Sequence, residues 1–269
     1  QTKAADLGIP LTGIDVADPA DSPHRERYIQ ELYQLRQRKG VTLSEARTLI
    51  SDRNIFASMM VHMGDADAVV AGLTQHYPDT IRPALQVLKV REGLHRVSGL
   101  YVLVTRRGDL FFLADTTVNI EPSAEDLAEI ALCAAQTARR FDVEPRVALL
   151  SFSNFGSTRH PLAEKVRRAV ELIRLREPGL MVDGEMQADT AVTPDIAAQD
   201  YAWSAIQGDA NVLVFPNLDA ANPAYKLLWR LGGAEAIGPI LQGLARPVHV
   251  LQRGVDVNDI VNMAAIAVL

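Results

Sequence analysis

Amide and carboxylate side chains follow an apolar segment in the last third of the chain. Residues 212–215 are apolar, and Pro216 then leads into Asn217, Asp219 and Asn222 ahead of a helical pattern. Small ligands bind at the carboxyl ends of strands in open α/β sheets, so these side chains form a candidate binding site. The alternative interpretation is an ordinary strand-to-helix loop.

A second polar group lies shortly downstream. Gln252 and Arg253 precede Gly254, and Asp256 and Asp259 follow before another apolar segment. Two such groups in one α/β chain favour a cleft for a phosphate-rich ligand, since a guanidinium pairs well with phosphate. The alternative is that Arg253 forms only a structural ion pair with Asp256 or Asp259.

A serine-rich loop at residues 151–158 is the third candidate. It follows the apolar residues 146–150 and precedes a helical pattern, so its hydroxyl and backbone N–H groups are suited to bind an anion. The loop matches neither the P-loop pattern nor the dinucleotide-binding glycine pattern. A plain helix cap is the alternative. The candidate ligand-binding residues in this loop are Ser151, Ser153, Asn154 and Ser157.

Composition narrows the possible classes of protein. The 269 residues carry a net charge of −6 and no long run of Lys or Arg, which argues against a nucleic-acid partner. The single cysteine, Cys133, excludes a disulfide framework and is typical of a reducing cytoplasm. No apolar run reaches the ~18 residues of a membrane span, and no signal peptide is visible. Asp65 and Asp67 are interpreted as solvated loop residues, so no metal site is expected.

Strand and helix patterns alternate along the chain, which predicts an α/β fold with a parallel sheet covered on both faces. Helices are predicted over residues 26–38, 42–50 and 82–89, and a hairpin joins residues 99–105 to 110–114. Ser123 is expected to cap the helix that follows, with Asp126 three residues on. A division near residue 143 is expected, where a helix ends before the strand at 146.

Several motifs together resemble phosphate acetyltransferases along essentially the whole chain. They are SFSNFGS (151–157), VDGEMQAD (182–189), NVLVFPNLDAAN (211–222), GPILQGL (238–244) and RGVDVNDIV (253–261). In finer detail, SNFGS, GLTQHYP (72–78) and HVLQRG (249–254) are similar to the C-terminal half of hybrid NADP-dependent malic enzymes. The chain begins at Gln1 and stops within an apolar segment, which we interpret as a fragment of a longer protein.

This resemblance implies an architecture like that of isocitrate and isopropylmalate dehydrogenases, in which two α/β subdomains flank a cleft. Residues 1–143 plus 243–269 would form the first subdomain and residues 144–242 the second. Arg253 and Asp259 match the catalytic arginine and aspartate of the family pattern, and Arg82 matches a cleft arginine that binds phosphate or acyl oxygen. Gln252 replaces the family's serine and His249 replaces an aspartate, so these catalytic residues are expected to be vestigial.

The resemblance therefore implies an acetyl-CoA-binding regulatory domain of a malic enzyme, itself poor in acetyl transfer. Acetyl-CoA or coenzyme A would contact the 151–158 loop, Asn217, Asn222, Gln252 and Arg253. NADP and a divalent metal would belong to a missing catalytic domain in cis, and the protein would be a cytoplasmic homodimer or larger homo-oligomer. Two alternatives stay open: an active phosphate acetyltransferase, and a purely structural dimerisation domain.

Overall fold

The computed structural model describes residues 2–251 and 254–269. The chain divides into two compact units, Gln1–Ala66 and Asp67–Leu269. Every strand among the described residues belongs to the second unit.

The first unit is helical. Its α-helices are α1 (Thr2–Asp6), α2 (Arg25–Arg36), α3 (Leu43–Leu49) and α4 (Arg53–Met63), with a 3₁₀ helix at Gln37–Lys39. Side-chain caps from Thr42 and Asp52 fix the starts of α3 and α4. The buried Tyr28 packs edge-on against Phe56 and donates its hydroxyl to Asp65. Asp65 is thus a structural acceptor at the end of this unit.

The second unit contains one eight-stranded sheet in the order β1-β8-β7-β2-β3-β6-β4-β5. Its strands are β1 (Val69–Ala71), β2 (Ser98–Val104), β3 (Leu110–Ala114), β4 (Arg146–Leu150), β5 (Met181–Met186), β6 (Val212–Val214), β7 (Glu235–Gln242) and β8 (Val248–Val250). Its helices are α5 (Tyr77–Val87), α6 (Ala124–Arg140), α7 (Pro161–Arg176), α8 (Ala188–Val192), α9 (Pro194–Asp200), α10 (Leu218–Arg230) and α11 (Val257–Ala267).

Alternate residues of the central strands build two cores, because successive strand side chains point to opposite faces. On one face, residues such as Leu100, Phe112 and Leu149 pack with α6, α7 and Met263 of α11. On the other face, residues such as Leu103, Leu113, Ala148 and Leu213 pack with Ala191 of α8 and Tyr225 of α10. The sheet is therefore covered by helices on both sides.

Strand direction divides the sheet ends into two groups. β1 and β8 are parallel to each other, and so are β3, β6, β4 and β5. Strands β7 and β2 lie between these two groups. Three neighbouring pairs are antiparallel: β8 with β7, β7 with β2, and β2 with β3. The carboxyl ends of β1 and β8 consequently point to the opposite sheet edge from those of β3, β4, β5 and β6.

The α/β class expected from the sequence is confirmed, and so is the β2–β3 hairpin. The sheet is mixed, because β2 and β7 pair antiparallel with their neighbours while the remaining strand pairs are parallel. Helix α5 begins at Tyr77 rather than at residue 82, since His76 is its N-cap and a proline lies in its first turn. The subdomain division near residue 143 stays a prediction. No helix in the described residues is long and apolar enough to span a membrane.

Candidate functional site

The connections that leave β1 and β8 are held together at one sheet edge. The Leu251 N–H donates to the Ala71 carbonyl oxygen at 2.7 Å. Gly72 has a φ of +118°, and a Cβ at this position would lie 2.5 Å from the Leu251 carbonyl oxygen. Only glycine combines this backbone conformation with so close an approach. The two connections therefore begin side by side.

The predicted catalytic residues Arg82 and Asp259 both belong to helices that come directly after these two strands. Arg82 is exposed on α5, which comes after β1. Asp259 lies in the first turn of α11, which comes after β8, and forms a reciprocal capping box with Asp256. The Asp259 carboxylate accepts the Asp256 N–H at 3.0 Å, and the Asp256 carboxylate accepts the Asp259 N–H at 3.0 Å.

This capping box fixes a carboxylate at the positive end of α11, where the helix dipole stabilises negative charge. The sequence pattern of a capping box, a capping residue followed three positions later by an acidic residue, is present at Asp256 and Asp259. Only the catalytic role of Asp259 was predicted from the sequence. Gln252 and Arg253 lie outside the described residues. Their predicted roles, and the alternative pairing of Arg253 with Asp256 or Asp259, stay predictions.

The serine-rich loop lies at the carboxyl end of β4, and its donors converge on one buried carboxylate, that of Glu185 on β5. The Glu185 side chain has no exposed surface. It accepts the Ser153 hydroxyl at 2.9 Å, the Gly156 N–H at 2.7 Å and two N–H groups of Arg167, each at 3.0 Å. Burial alone raises the pKa of Glu185, but the hydrogen bonds from Arg167, Gly156 and Ser153 outweigh it and lower that pKa.

The remaining loop residues are also engaged within the protein. The Ser157 hydroxyl lies 3.2 Å from that of Ser153 and accepts the Asn154 N–H at 3.0 Å. The Asn154 side-chain oxygen accepts the Gln187 N–H at 2.7 Å, and the Ser151 hydroxyl accepts the Ser153 N–H at 3.3 Å. The loop has the anion-binding geometry expected from its sequence, and an internal carboxylate occupies it. Glu185 was not predicted, although it lies within the VDGEMQAD motif.

Asn217 and Asn222 follow β6, which is next to β4 in the sheet. The Asn217 side chain caps α10 by accepting the Ala220 N–H at 2.9 Å. The Asn222 amide donates to the Thr116 carbonyl oxygen at 3.1 Å, which ties α10 to the loop after β3. In that loop the buried Asp115 carboxylate accepts backbone N–H groups from Gly99 and from residues 117–119.

The structure thus separates the predicted residues into two sets. In the described part of the chain, no hydrogen bond or ion pair joins Arg82 or Asp259 to the 151–158 loop, Asn217 or Asn222. Four strands lie between β8 and β4 in the sheet order. At about 4.8 Å per interval, the five intervals span roughly 24 Å. One small anion therefore cannot contact both sets, and the ligand-binding role of the second set stays a prediction.

A family model and several known proteins that are similar to this chain indicate its family. The model for phosphate acetyl/butaryl transferase matches residues 1–268. The phosphate acetyltransferase of Bacillus subtilis is 44% identical over 266 residues, which cover 99% of this chain and 82% of the relative. A phosphotransacetylase structure from Streptococcus pyogenes aligns with a TM-score of 0.94 and 39% identity, and covers 99% of this chain and 81% of that one.

The NADP-dependent malic enzyme of Escherichia coli is 43% identical over 269 residues, but these cover only 35% of that enzyme. The expectation of a malic enzyme regulatory domain, with oxidoreductase and NADP roles, is therefore wrong. The chain is as similar to the Bacillus phosphate acetyltransferase, most of which it covers. The roles expected for the replacements at His249 and Gln252 stay predictions. The chain belongs to the phosphate acetyl/butaryl transferase family.

Proposed function

We propose that this protein is a phosphate acetyltransferase, which interconverts acetyl phosphate plus coenzyme A and acetyl-CoA plus inorganic phosphate. The proposal is supported by the match to the family model over residues 1–268 and by the names of the relatives that align with nearly the whole chain. Coenzyme A and acetyl-CoA enter as substrates in this proposal, not as regulatory ligands.

The observation that carries the proposal is the placement of Arg82 and Asp259. These residues come from the two helices that follow β1 and β8, which are neighbouring parallel strands. The Ala71–Leu251 hydrogen bond holds the starts of both connections together. Ligands bind outside the carboxyl ends of parallel strands, so an arginine and a carboxylate at this edge are well placed for acyl transfer.

In the proposed reaction, the Asp259 carboxylate takes the proton of the coenzyme A thiol as general base. The thiolate sulfur then attacks the acetyl carbonyl carbon of acetyl phosphate. A carbon–sulfur bond forms, the bond from the carbonyl carbon to the bridging oxygen breaks, and inorganic phosphate leaves with that electron pair. The Arg82 guanidinium stabilises the negative charge on the phosphate and the acyl oxygen as it develops.

The 151–158 loop is a weaker candidate for holding coenzyme A. Its best-placed donors, the Ser153 hydroxyl and the Gly156 N–H, already bind Glu185. A ligand phosphate would have to displace a buried carboxylate that Arg167 also holds. We therefore assign acetyl transfer to the edge where β1 and β8 end, with the loop as part of the supporting fold.

The test is thioester formation from acetyl phosphate and coenzyme A by the purified protein, followed by the absorbance of the thioester. We expect turnover by the wild type and a loss of about 100-fold or more in kcat for Arg82→Gln and for Asp259→Asn. Asparagine retains an oxygen that can accept the Asp256 N–H, so this variant removes the charge and keeps the cap.

The matched control is Arg168→Gln on α7, an exposed arginine that pairs with Glu171. Its turnover should equal that of the wild type. Butyryl phosphate in place of acetyl phosphate tests the acyl group, and we expect the acetyl substrate to be preferred. A wild-type protein that forms no thioester would overturn the proposed reaction. Full activity in both Arg82→Gln and Asp259→Asn would place the site elsewhere.

A further inference from the structure

A cavity of about 150 Å³ lies at the carboxyl end of β7. Since one water molecule needs roughly 10–15 Å³ of such space, the cavity has room for a small organic molecule. β7 and β8 run in opposite directions, so the cavity lies near the amino end of β8, away from the edge proposed for acetyl transfer. Its polar and reactive lining side chains include Arg91, Cys133, Arg140, Gln242, Arg246 and His249.

Among the described side chains that line the cavity, three are positively charged and none is an Asp or Glu. Arg91, Arg140 and Arg246 contribute guanidinium groups, and no Asp or Glu is among the described residues that line it. None of the three forms an ion pair with a carboxylate in the described part of the chain, whereas Arg91 donates to the Gln136 side chain at 2.8 Å. In a protein with a net charge of −6, such a cavity favours anions.

His249 is a further polar residue of the cavity lining. The residue is only 4% exposed, and its Nδ1 atom has no hydrogen-bond partner among the described residues. Buried polar atoms are nearly always hydrogen-bonded, and the unpartnered Nδ1 atom, which is itself buried, is an exception beside the cavity. Burial lowers the pKa of His249 to about 4, and the neutral ring can donate or accept at Nδ1.

The other polar wall groups are fixed or unreactive. The Gln242 amide donates to the Cys133 carbonyl oxygen at 3.0 Å and to the Thr137 hydroxyl at 2.6 Å. Burial raises the pKa of the Cys133 thiol, which disfavours the nucleophilic thiolate. The arrangement is therefore suited to binding rather than to covalent chemistry.

We propose that this cavity is a second ligand site, which binds a small organic anion carrying more than one carboxylate or phosphate group. Guanidinium groups bind both kinds of oxyanion through paired hydrogen bonds. Three of them around one cavity match a ligand with several negative charges better than a single-charge ion.

Helix α11 connects the cavity to the edge proposed for acetyl transfer, and this step rests on the proposed function. Ile266 and Ala267 at the end of α11 line the cavity, while Asp259 lies in the first turn of that helix. The helix has 11 residues and is about 16 Å long. A ligand that shifts α11 therefore moves the Asp259 carboxylate, so the cavity is an effector site for acetyl transfer.

Binding is tested first, without any use of activity. The purified protein is titrated calorimetrically at low ionic strength with inorganic pyrophosphate and, separately, with citrate. We expect at least one of them to bind, and Arg140→Gln and Arg246→Gln each to weaken that binding by about tenfold or more. Binding of pyrophosphate alone identifies a phosphate ligand, binding of citrate alone identifies a carboxylate ligand, and both outcomes support the site.

Two controls separate this site from the acetyl-transfer edge. Arg168→Gln and Arg82→Gln should both leave the affinity for the probe unchanged. A loss of binding in Arg82→Gln, with full binding in Arg140→Gln and Arg246→Gln, would place the anion at the other edge and overturn the proposal. Failure of both probes to bind would also overturn it.

Coupling is tested second, by measuring acetyl transfer with and without a saturating concentration of the probe that binds. We expect a change of about fivefold or more in KM or kcat, which Arg246→Gln should abolish. Unchanged kinetics with confirmed binding would refute the effector role alone. If the protein forms no thioester at all, the calorimetric result still decides whether the second site exists.

Discussion

The buried carboxylate of Glu185 organises the serine-rich loop, and Glu185→Gln tests this directly. Glutamine has the same shape but no charge, and its amide nitrogen cannot accept a hydrogen bond. If the glutamine oxygen keeps the contacts to Ser153 and Gly156, the nitrogen faces the Nε–H of Arg167, so one hydrogen bond is lost and the others lose their charge.

The size of the effect can be worked out from these contacts. A hydrogen bond to a charged group contributes about 1.5–3 kcal/mol and a neutral one about 1 kcal/mol. The Arg167 side chain is 40% exposed, so water partly compensates for its lost partner. We therefore expect the free energy of unfolding to fall by about 2–3 kcal/mol, which corresponds to roughly 5–10 °C in Tm for a chain of this size.

The assay is denaturant unfolding of the wild type and of Glu185→Gln, with Glu171→Gln as the matched control. Glu171 pairs with Arg168 on the surface, where both side chains are more than half exposed, so its substitution should cost no more than about 0.5 kcal/mol. Equal stability losses for Glu185→Gln and Glu171→Gln would refute the organising role of Glu185.

The pH dependence gives a second readout. The pKa of Glu185 is lowered in the folded protein, so the unfolded chain binds more protons at acid pH and the carboxylate stabilises the fold above its unfolded pKa. The stability difference between wild type and Glu185→Gln should therefore persist at neutral pH. It should shrink as the pH falls below about 4.3 and through the folded pKa. A stability difference between the two proteins that does not change with pH would show that the charge of Glu185 does not stabilise the fold.

Three further substitutions test other parts of the fold and the site. Gly72→Ala places a Cβ 2.5 Å from the Leu251 carbonyl oxygen, so by differential scanning calorimetry it should destabilise more than Gly108→Ala, where φ is also positive but the space is open; equal losses would refute the close contact. The pKa of His249 is lowered to about 4 in the folded protein, so as the pH falls this side chain binds a proton in the unfolded chain before it does so in the folded one. The free energy of unfolding should therefore fall by up to about 3 kcal/mol between pH 7 and pH 4. Denaturant unfolding of His249→Asn should show a smaller loss of stability over this pH range. The same dependence of stability on pH in this variant and the wild type would contradict the role of His249. Because the family pattern has serine where Gln252 stands, Gln252→Ser should raise kcat for thioester formation by about tenfold or more; an unchanged kcat would show that the hydroxyl is not needed.

Local features of the fold were predictable because their causes are local. The cap of α6 is an example: Ser123 and Asp126 form the reciprocal capping box that their spacing predicts. The hairpin of β2 and β3 is another, since two β-rich segments flank a short turn. Both depend on residues close in sequence, where propensity and spacing decide the conformation.

The directions of the strands were not predictable in this way. The segment that forms β7 contains Gly238 and Pro239, and it pairs with β2, more than a hundred residues earlier in the chain. Gly184 lies within β5, where a Cβ would meet the Leu149 carbonyl oxygen of the neighbouring strand at 2.6 Å. Such pairings depend on contacts between residues far apart in the sequence. They decide at which end of the sheet each set of candidate residues lies, so this placement could not be predicted from local patterns.

Hydrogen-bond donors indicate a ligand site only when the protein itself leaves them unsatisfied. The 151–158 loop carries several hydroxyl and N–H groups that suit an anion, but the Glu185 carboxylate accepts hydrogen bonds from Ser153 and Gly156. The cavity beside β7 has no comparable sequence motif, because Arg91, Arg140 and Arg246 come from separate parts of the chain. Its guanidinium groups form no ion pair with a described carboxylate. An anion therefore gains binding free energy from donors that have no hydrogen-bond or ion-pair partner within the protein. Only the folded structure shows which donors these are.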